Sequence, residues 1–444
     1  VKGYAGSAKD SVSYKGQIAR HVLHDSLKKL AGSGNGSADP ALKAKMMAYF
    51  EGKEPGRAII APVSNGAFAI QQSMVDDISK SRELASKTYK GAIAGWPNGM
   101  TGPEVVTFWI DKASAADKGF DLNNGYSYAQ LISKFIMGAV FYNQVVDGYL
   151  DENLGADKKP NDKPYGEGAA YTGKEHSWDE AFGYFGTPAH TLKLSADDIY
   201  DINKLGGKSP EETLAKADYD RDGKIDLYRE MAFGPAYYAA GFDRSTAGKD
   251  NATDYLHAIT RGFLDGRKLL VAAKGEKLTD AQRSELRGYA GVIESNWEKV
   301  LAEATFKYAG EAYKDLEKLQ IILDANGDTG KVLKDYVNHW GELKGFSMAL
   351  QTGRRNLGET AVKLNRLVGF GPVLANQSQV VDVDSKGNYV KGEAPSLGEY
   401  MLHMVKVQKL MVDEFGVRAR NHDVLAGMSD LVKKLGPGNS AEND

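Results

Sequence analysis

Carboxylates at alternate positions supply the most specific chemistry in this sequence. Asp218-Tyr219-Asp220-Arg221-Asp222-Gly223-Lys224-Ile225-Asp226 reproduces the first nine positions of an EF-hand-type calcium loop. Oxygen ligands at positions one, three and five surround a hard cation, glycine at six allows the sharp turn, and the apolar residue at eight faces a neighbouring core. The candidate calcium ligands are Asp218, Asp220, Asp222, Lys224 and Asp226. Position twelve is Arg229 where glutamate is usual, with Glu230 one place later, so the bidentate ligand is expected from Glu230 through a shifted helix start or from elsewhere. A structural calcium is the expectation; the plain alternative is an acidic turn before a helix over Leu227 to Tyr238. A second acidic stretch, Asp324-Ala325-Asn326-Gly327-Asp328-Thr329-Gly330 with Asp335 at position twelve, has threonine where the turn needs glycine, and it reads as a helix-entry turn.

Histidine beside carboxylate offers a second kind of site. His176-Ser177-Trp178-Asp179-Glu180-Ala181-Phe182-Gly183-Tyr184 and His339-Trp340-Gly341-Glu342-Leu343-Lys344-Gly345-Phe346 align on tryptophan as Trp-x-Glu-x-x-Gly-aromatic with a histidine just upstream. At helical spacing Asp335, His339 and Glu342 share one face, and Glu175, His176, Asp179 and Glu180 form a similar cluster. Imidazole nitrogen with carboxylate oxygen suits iron, zinc or manganese, and facing helices are a common way to build such a site. His176, Asp179, Glu180, His339 and Glu342 are therefore candidate transition-metal ligands. The competing reading of each histidine beside a tryptophan is a core residue with satisfied hydrogen bonds. His21 and His24, three apart, read as ordinary surface or packing residues.

Helices must position these groups, because helical periodicity dominates the long segments. Gly16 to Leu30, Ile70 to Lys87, Tyr126 to Leu150, Asn251 to Ala273, Asp280 to Leu319, Val332 to Leu350 and Leu397 to Phe415 carry apolar residues at three and four spacing. The runs Ala58 to Val63 and Gln379 to Val383 read as short strands too few to build a principal sheet, so an all-α protein with at most a small β hairpin is expected. Long polar connections occupy Ala31 to Pro40, Gly91 to Gly102, Asp151 to Tyr171 and Ala375 to Ser396. With 444 residues and two similar segments, the chain is expected to form two helical-bundle halves, 1–205 and 206–435, followed by a disordered tail at 436–444.

Composition excludes several function classes. A net charge of -3 provides no basic field for nucleic acid, and no apolar run is long enough to span a bilayer. The chain has no cysteine, which removes disulfides, thiolate ligands and cysteine nucleophiles, and this composition is common among bacterial envelope proteins. His-Glu-x-x-His and Gly-x-Ser-x-Gly are absent, and Gly32-Ser33-Gly34-Asn35-Gly36 follows a helix and reads as a flexible turn.

Three stretches carry a family resemblance: Val12 to Arg20, Glu175 to Gly186, and Gly262-Phe263-Leu264-Asp265-Gly266-Arg267. They resemble the landmarks of an uncharacterised domain family of bacterial envelope lipoproteins, itself similar to the imelysin-like proteins. The resemblance implies an all-helical, two-half periplasmic or cell-surface protein linked to iron acquisition, with a lipid anchor and signal removed from this chain. Its hallmark is Gly-x-His-x-x-Glu; here Gly173 stands three places before His176, Asp179 takes the glutamate position and Glu180 follows. Implied ligands are a metal ion or metal complex, and the implied protein partner is an outer-membrane transport component. The function expected is metal uptake through iron or zinc binding with a structural calcium. The alternatives are a metal-dependent peptidase and a calcium-stabilised surface interaction protein whose 23 tyrosines would line a binding groove.

Overall fold

The computed structural model describes residues 12–156 and 158–435. The fold is all-α, with two small antiparallel hairpins. Among the described residues, helices run in the order α1 (Lys15–Ala31), α2 (Pro40–Phe50), α3 (Val75–Ile78), α4 (Gly102–Ala113), α5 (Tyr128–Ile136), α6 (Gly173–Phe185), α7 (Ala196–Asn203) and α8 (Pro210–Ala217). There follow α9 (Gly234–Thr246), α10 (Tyr255–Ala272), α11 (Asp280–Asp324), α12 (Gly330–Ala349), α13 (Glu359–Val368), α14 (Leu397–Phe415) and α15 (Met428–Leu435). Strands β1 (Phe120–Asp121) and β2 (Tyr126–Ser127) make one hairpin, and β3 (Ser378–Val383) and β4 (Tyr389–Glu393) make the other. No described helix is long and apolar enough to cross a membrane.

Helix starts follow local capping chemistry. Thr172, Ser195 and Ser396 each accept the amide three residues on, and Glu175, Asp198 and Glu399 reach back to the cap's own amide. Gly186 and Gly416 close α6 and α14 in the left-handed conformation that glycine adopts without a Cβ clash. After α5 the chain continues through two π-helical turns, Met137–Tyr142 and Gln144–Tyr149, where one extra residue per turn is accommodated.

Two compact units emerge, and neither is a contiguous half of the chain. Among the described residues, one comprises 12–26, Tyr49–Lys87 and Val140–Val300; the other comprises Leu27–Ala48, Thr88–Ala139 and 301–435. The unit boundary therefore does not coincide with residues 205 and 206. In the first unit α6 packs on α10 and α7 on α9, while in the second α5 packs on α12 and α13 on α14.

Three local expectations need correction. Ile70 to Lys87 is not one helix: only Val75–Ile78 is α-helical, because Met74 is extended and Asp77 accepts the amides of Ser73 and Met74, and Ser79 is extended again. Ala58 to Val63 forms no strand, only a single bridge from Ala58 to Met74. The helix expected over Leu227 to Tyr238 starts only at Gly234: residues 227–230 make a single turn, Phe233 is extended, and Pro235 has no amide with which to continue a helix from that turn. The tail expected at 436–444 lies outside the described residues.

Candidate metal centre

In the second unit, α12 carries His339 and Glu342 three residues apart, and α11 carries Glu311 and Asp315 four apart, so each helix presents two polar groups on one face. Glu311, His339 and Glu342 each bring one ligating atom to within 4.8 Å of the others. Asp315 Oδ2 lies 2.6 Å from His339 Nδ1, which fixes the ring and directs Nε2 toward Glu311, 3.6 Å away. A carboxylate behind an imidazole is the usual support of a metal-ligating histidine, since it sets the tautomer and raises basicity. Tyr308 stacks against both His339 and Phe346, so the ring is also held by packing.

The carboxylates of this centre are largely enclosed. The side chains of Asp315, Glu342 and Glu311 are only 5%, 10% and 15% exposed, against 29% for His339. Burial pulls the His339 pKa down, but the hydrogen bond with Asp315 and the charges of Glu311, Asp315 and Glu342 outweigh it and leave it above the ordinary histidine value. Three cations approach the carboxylates: Lys134 Nζ is 3.3 Å from Glu342, Lys307 Nζ is 3.4 Å from Glu311, and Lys318 Nζ is 3.3 Å from Asp315. Burial pushes the Lys134 ammonium down to about 7, with nearby Lys28 adding to the effect and Glu342 opposing it. One imidazole with two carboxylates is a mixed nitrogen and oxygen set that suits iron, zinc or manganese.

The matching segment of the first unit is arranged differently. His176 lies between Tyr165 and Tyr171, with ring centroids 3.9 and 5.1 Å away, and its Nε2 is 3.6 Å from Glu180. Burial lowers its pKa, against the pull of Glu180. Glu180 accepts from Gln17 Nε2 at 2.8 Å. Asp179 does not join them: it accepts from Arg267 Nε at 2.8 Å, and Arg267 Nη1 reaches Glu175 at 2.7 Å. Spacing does not separate the two, since residues three and four on both neighbour His176; the difference is Arg267 on α10, whose guanidinium takes up Asp179 and leaves Glu180 beside the imidazole. Among the described residues no third histidine or carboxylate joins His176 and Glu180 at ligating distance.

The acidic loop in the first unit brings Asp218, Asp220 and Asp222 oxygens within 4.8 Å of one another. Asp218 also accepts the Asp222 and Gly223 amides, and Asp222 accepts the Lys224 amide, so the loop wraps around its own carboxylates. Gly223 at φ 83° makes the turn, and Ile225 pairs in parallel with Ile70, which ties position eight to a neighbouring segment. Glu230 is buried and accepts from the amides of Tyr219, Asp220 and Asp226, while Asp226 accepts from Gln72 and Tyr228. Burial raises the Glu230 pKa against those three amide bonds. Both residues brace the loop from behind and stand outside the cluster of Asp218, Asp220 and Asp222 oxygens.

At the second acidic stretch, Asp324 accepts from Gln320, Asp328 caps the Gly330 amide and Asp335 pairs with Lys331, as a helix-entry turn requires. His21 and His24 are buried packing residues; His21 sits 3.2 Å from the Gly183 carbonyl and stacks on Phe233. Spacing found His339 and Glu342 but missed Glu311 and Asp315, whose only signal is their four-residue separation inside a long helix. It also missed His422, a lone loop histidine whose Nε2 is 3.2 Å from Glu311 Oε1.

Residues 98–211 match a family model described as a domain of unknown function, DUF4856. No curated protein and no solved structure matches the chain. The match is to an uncharacterised family, as the sequence landmarks imply. It spans His176, Asp179 and Glu180 and ends before the Asp218 loop and before His339.

Proposed function

We propose that this chain is a metal-binding protein of the bacterial cell envelope, of imelysin-like type, that contributes to metal uptake. The observation that carries the reading is the convergence of Glu311, His339 and Glu342 with Asp315 behind the imidazole. These three would hold a transition metal, iron first and zinc second, through one nitrogen and at least two oxygens. Asp218, Asp220 and Asp222 would hold a structural calcium, with Glu230 and Asp226 bracing the loop. The envelope assignment rests on the absence of cysteine and on the family resemblance.

Elemental analysis of protein purified without chelators tests both sites. One equivalent of iron or zinc is expected, lost in the Glu311→Gln/His339→Ala variant and kept in His176→Ala/Glu180→Ala. Loss in the second variant instead would move the site to the first unit, and no transition metal in any sample, even after reconstitution, would overturn the reading. Calcium is expected to survive both variants, disappear in Asp218→Asn/Asp220→Asn, and stabilise by about 2.7 kcal/mol when present at a hundred times its dissociation constant.

A further inference from the structure

His422 stands outside every pattern in the sequence, yet much of the surrounding structure is devoted to placing it. The loop after α14 donates three successive amides, from Arg418, Ala419 and Arg420, to the fully buried carboxylate of Glu303 at 2.5, 2.6 and 2.9 Å. Gln408, also fully buried, donates to the His422 carbonyl and accepts from the Val424 amide, each at 2.9 Å. Arg420 and His422 are themselves left-handed, at φ 51° and 60°, a conformation side chains rarely adopt unless the surroundings enforce it. At Gly310, one residue before Glu311, a Cβ would lie 2.0 Å from the His422 carbonyl, so only glycine lets the loop seat so closely on α11.

Every one of these anchors is made to the loop backbone, which leaves the His422 imidazole for another task. Its Nε2 is 3.2 Å from Glu311 Oε1, while His339 Nε2 is 3.6 Å from Glu311 Oε2, so two imidazoles face the two oxygens of one carboxylate. Lys314 Nζ lies 3.5 Å from the other ring nitrogen of His422. We infer that His422, whose nitrogens lie outside the 4.8 Å cluster of the other three and reach only Glu311, moves in as a fourth ligand of the centre formed by Glu311, His339 and Glu342, and that it sets the metal preference there. The inference rests on the metal-binding reading above. A second imidazole turns a mostly oxygen site into a balanced two-nitrogen, two-carboxylate set, which favours ferrous iron, zinc or cobalt over magnesium and calcium.

Cobalt(II) is the probe, because each imidazole bound to it gives a strongly shifted, exchangeable N–H proton resonance. Wild type is expected to show two such resonances and His422→Ala one, with cobalt affinity down at least about tenfold. The melting temperature of the cobalt-free variant should match wild type, since no loop anchor uses the imidazole. A single resonance in wild type that persists in His422→Ala would overturn the inference while leaving the centre intact. If cobalt binding were indifferent to both Glu311→Gln and His339→Ala, the metal-binding reading beneath it would fall as well.

Discussion

The segments around Trp178 and Trp340 share a sequence pattern but serve different chemistry. Both tryptophans are almost fully buried, and both indoles donate, Trp178 to the Phe263 carbonyl at 2.7 Å and Trp340 to the Tyr400 hydroxyl at 2.8 Å. Both downstream glycines mark a close approach: a Cβ on Gly183 would lie 2.6 Å from Tyr14 Cβ, and one on Gly345 would lie 2.6 Å from Lys134 Cβ. The histidines diverge. His339 is backed by Asp315 and faces Glu311, whereas His176 is enclosed by two tyrosines and has only Glu180 beside it. What the two segments have in common is therefore a way of packing a helix and a histidine–glutamate pair, and only His339 and Glu342 gain further partners, Glu311 and Asp315 from α11, which the repeat does not contain.

That division predicts equal stability effects and unequal metal effects. The largest is expected from Trp178→Ala and Trp340→Ala, each of which should cost about 3–5 kcal/mol in chemical denaturation. A loss below about 1 kcal/mol at either position would break the shared packing role. Next, Arg267→Ala leaves Glu175 and Asp179 in a mostly buried site without their guanidinium, at a cost of about 3 kcal/mol, and metal content should not change. Asp315→Asn should do the reverse, lowering transition-metal affinity about 10–100-fold with little effect on melting. Were both variants to lose metal alike, the two segments would have to share ligand chemistry after all.

The smallest expected effect lies four residues beyond each tryptophan, where Phe182 in one segment is matched by Lys344 in the other. Phe182 makes edge contacts with Tyr14 and Phe263, whereas Lys344 is fully buried and donates to the Gly369 carbonyl. Burial pushes the Lys344 ammonium from 10.5 down to about 7. A base with a depressed folded pKa binds fewer protons folded than unfolded between those values, so stability rises with pH from about 7 toward 10.5, by at most about 1.4 kcal/mol per pH unit. Denaturation between pH 7.5 and 9.5 should show this slope, and Lys344→Met should reduce it. An unchanged slope in the variant would assign the effect to other groups, Lys134 foremost.

Local chemistry was the legible part of this sequence. Periodicity placed α11 and α12 to within a few residues, because apolar spacing over forty or twenty residues is hard to mistake. The turn of the Asp218 loop was legible as well, since its carboxylates and glycine sit within nine consecutive positions. Ile70 to Lys87 misled because its apolar residues pack from extended chain; the Ala69 carbonyl and Gln71 amide pair with Ile225. Glu230 stands nearest the missing position twelve, but the amide bonds that its two oxygens accept from the loop could not be read from spacing. Glu311 and His422 stayed hidden because nothing in the order of residues shows that Gly310 lets the loop after α14 rest against α11.

The interleaving of the two units bears on how this protein can be cut. The family match at 98–211 starts in one unit and ends in the other, changing over at Ala139 and Val140, within a π-helical turn. A fragment expressed between those limits would carry α5 without α12 and α6 without α10, exposing the apolar faces that those partners cover. Such a piece should aggregate where the whole chain folds. The stretch that the family model matches is thus narrower than the stretch that must stay together to bury those faces, and domain exchanges cut at its limits should fail to fold.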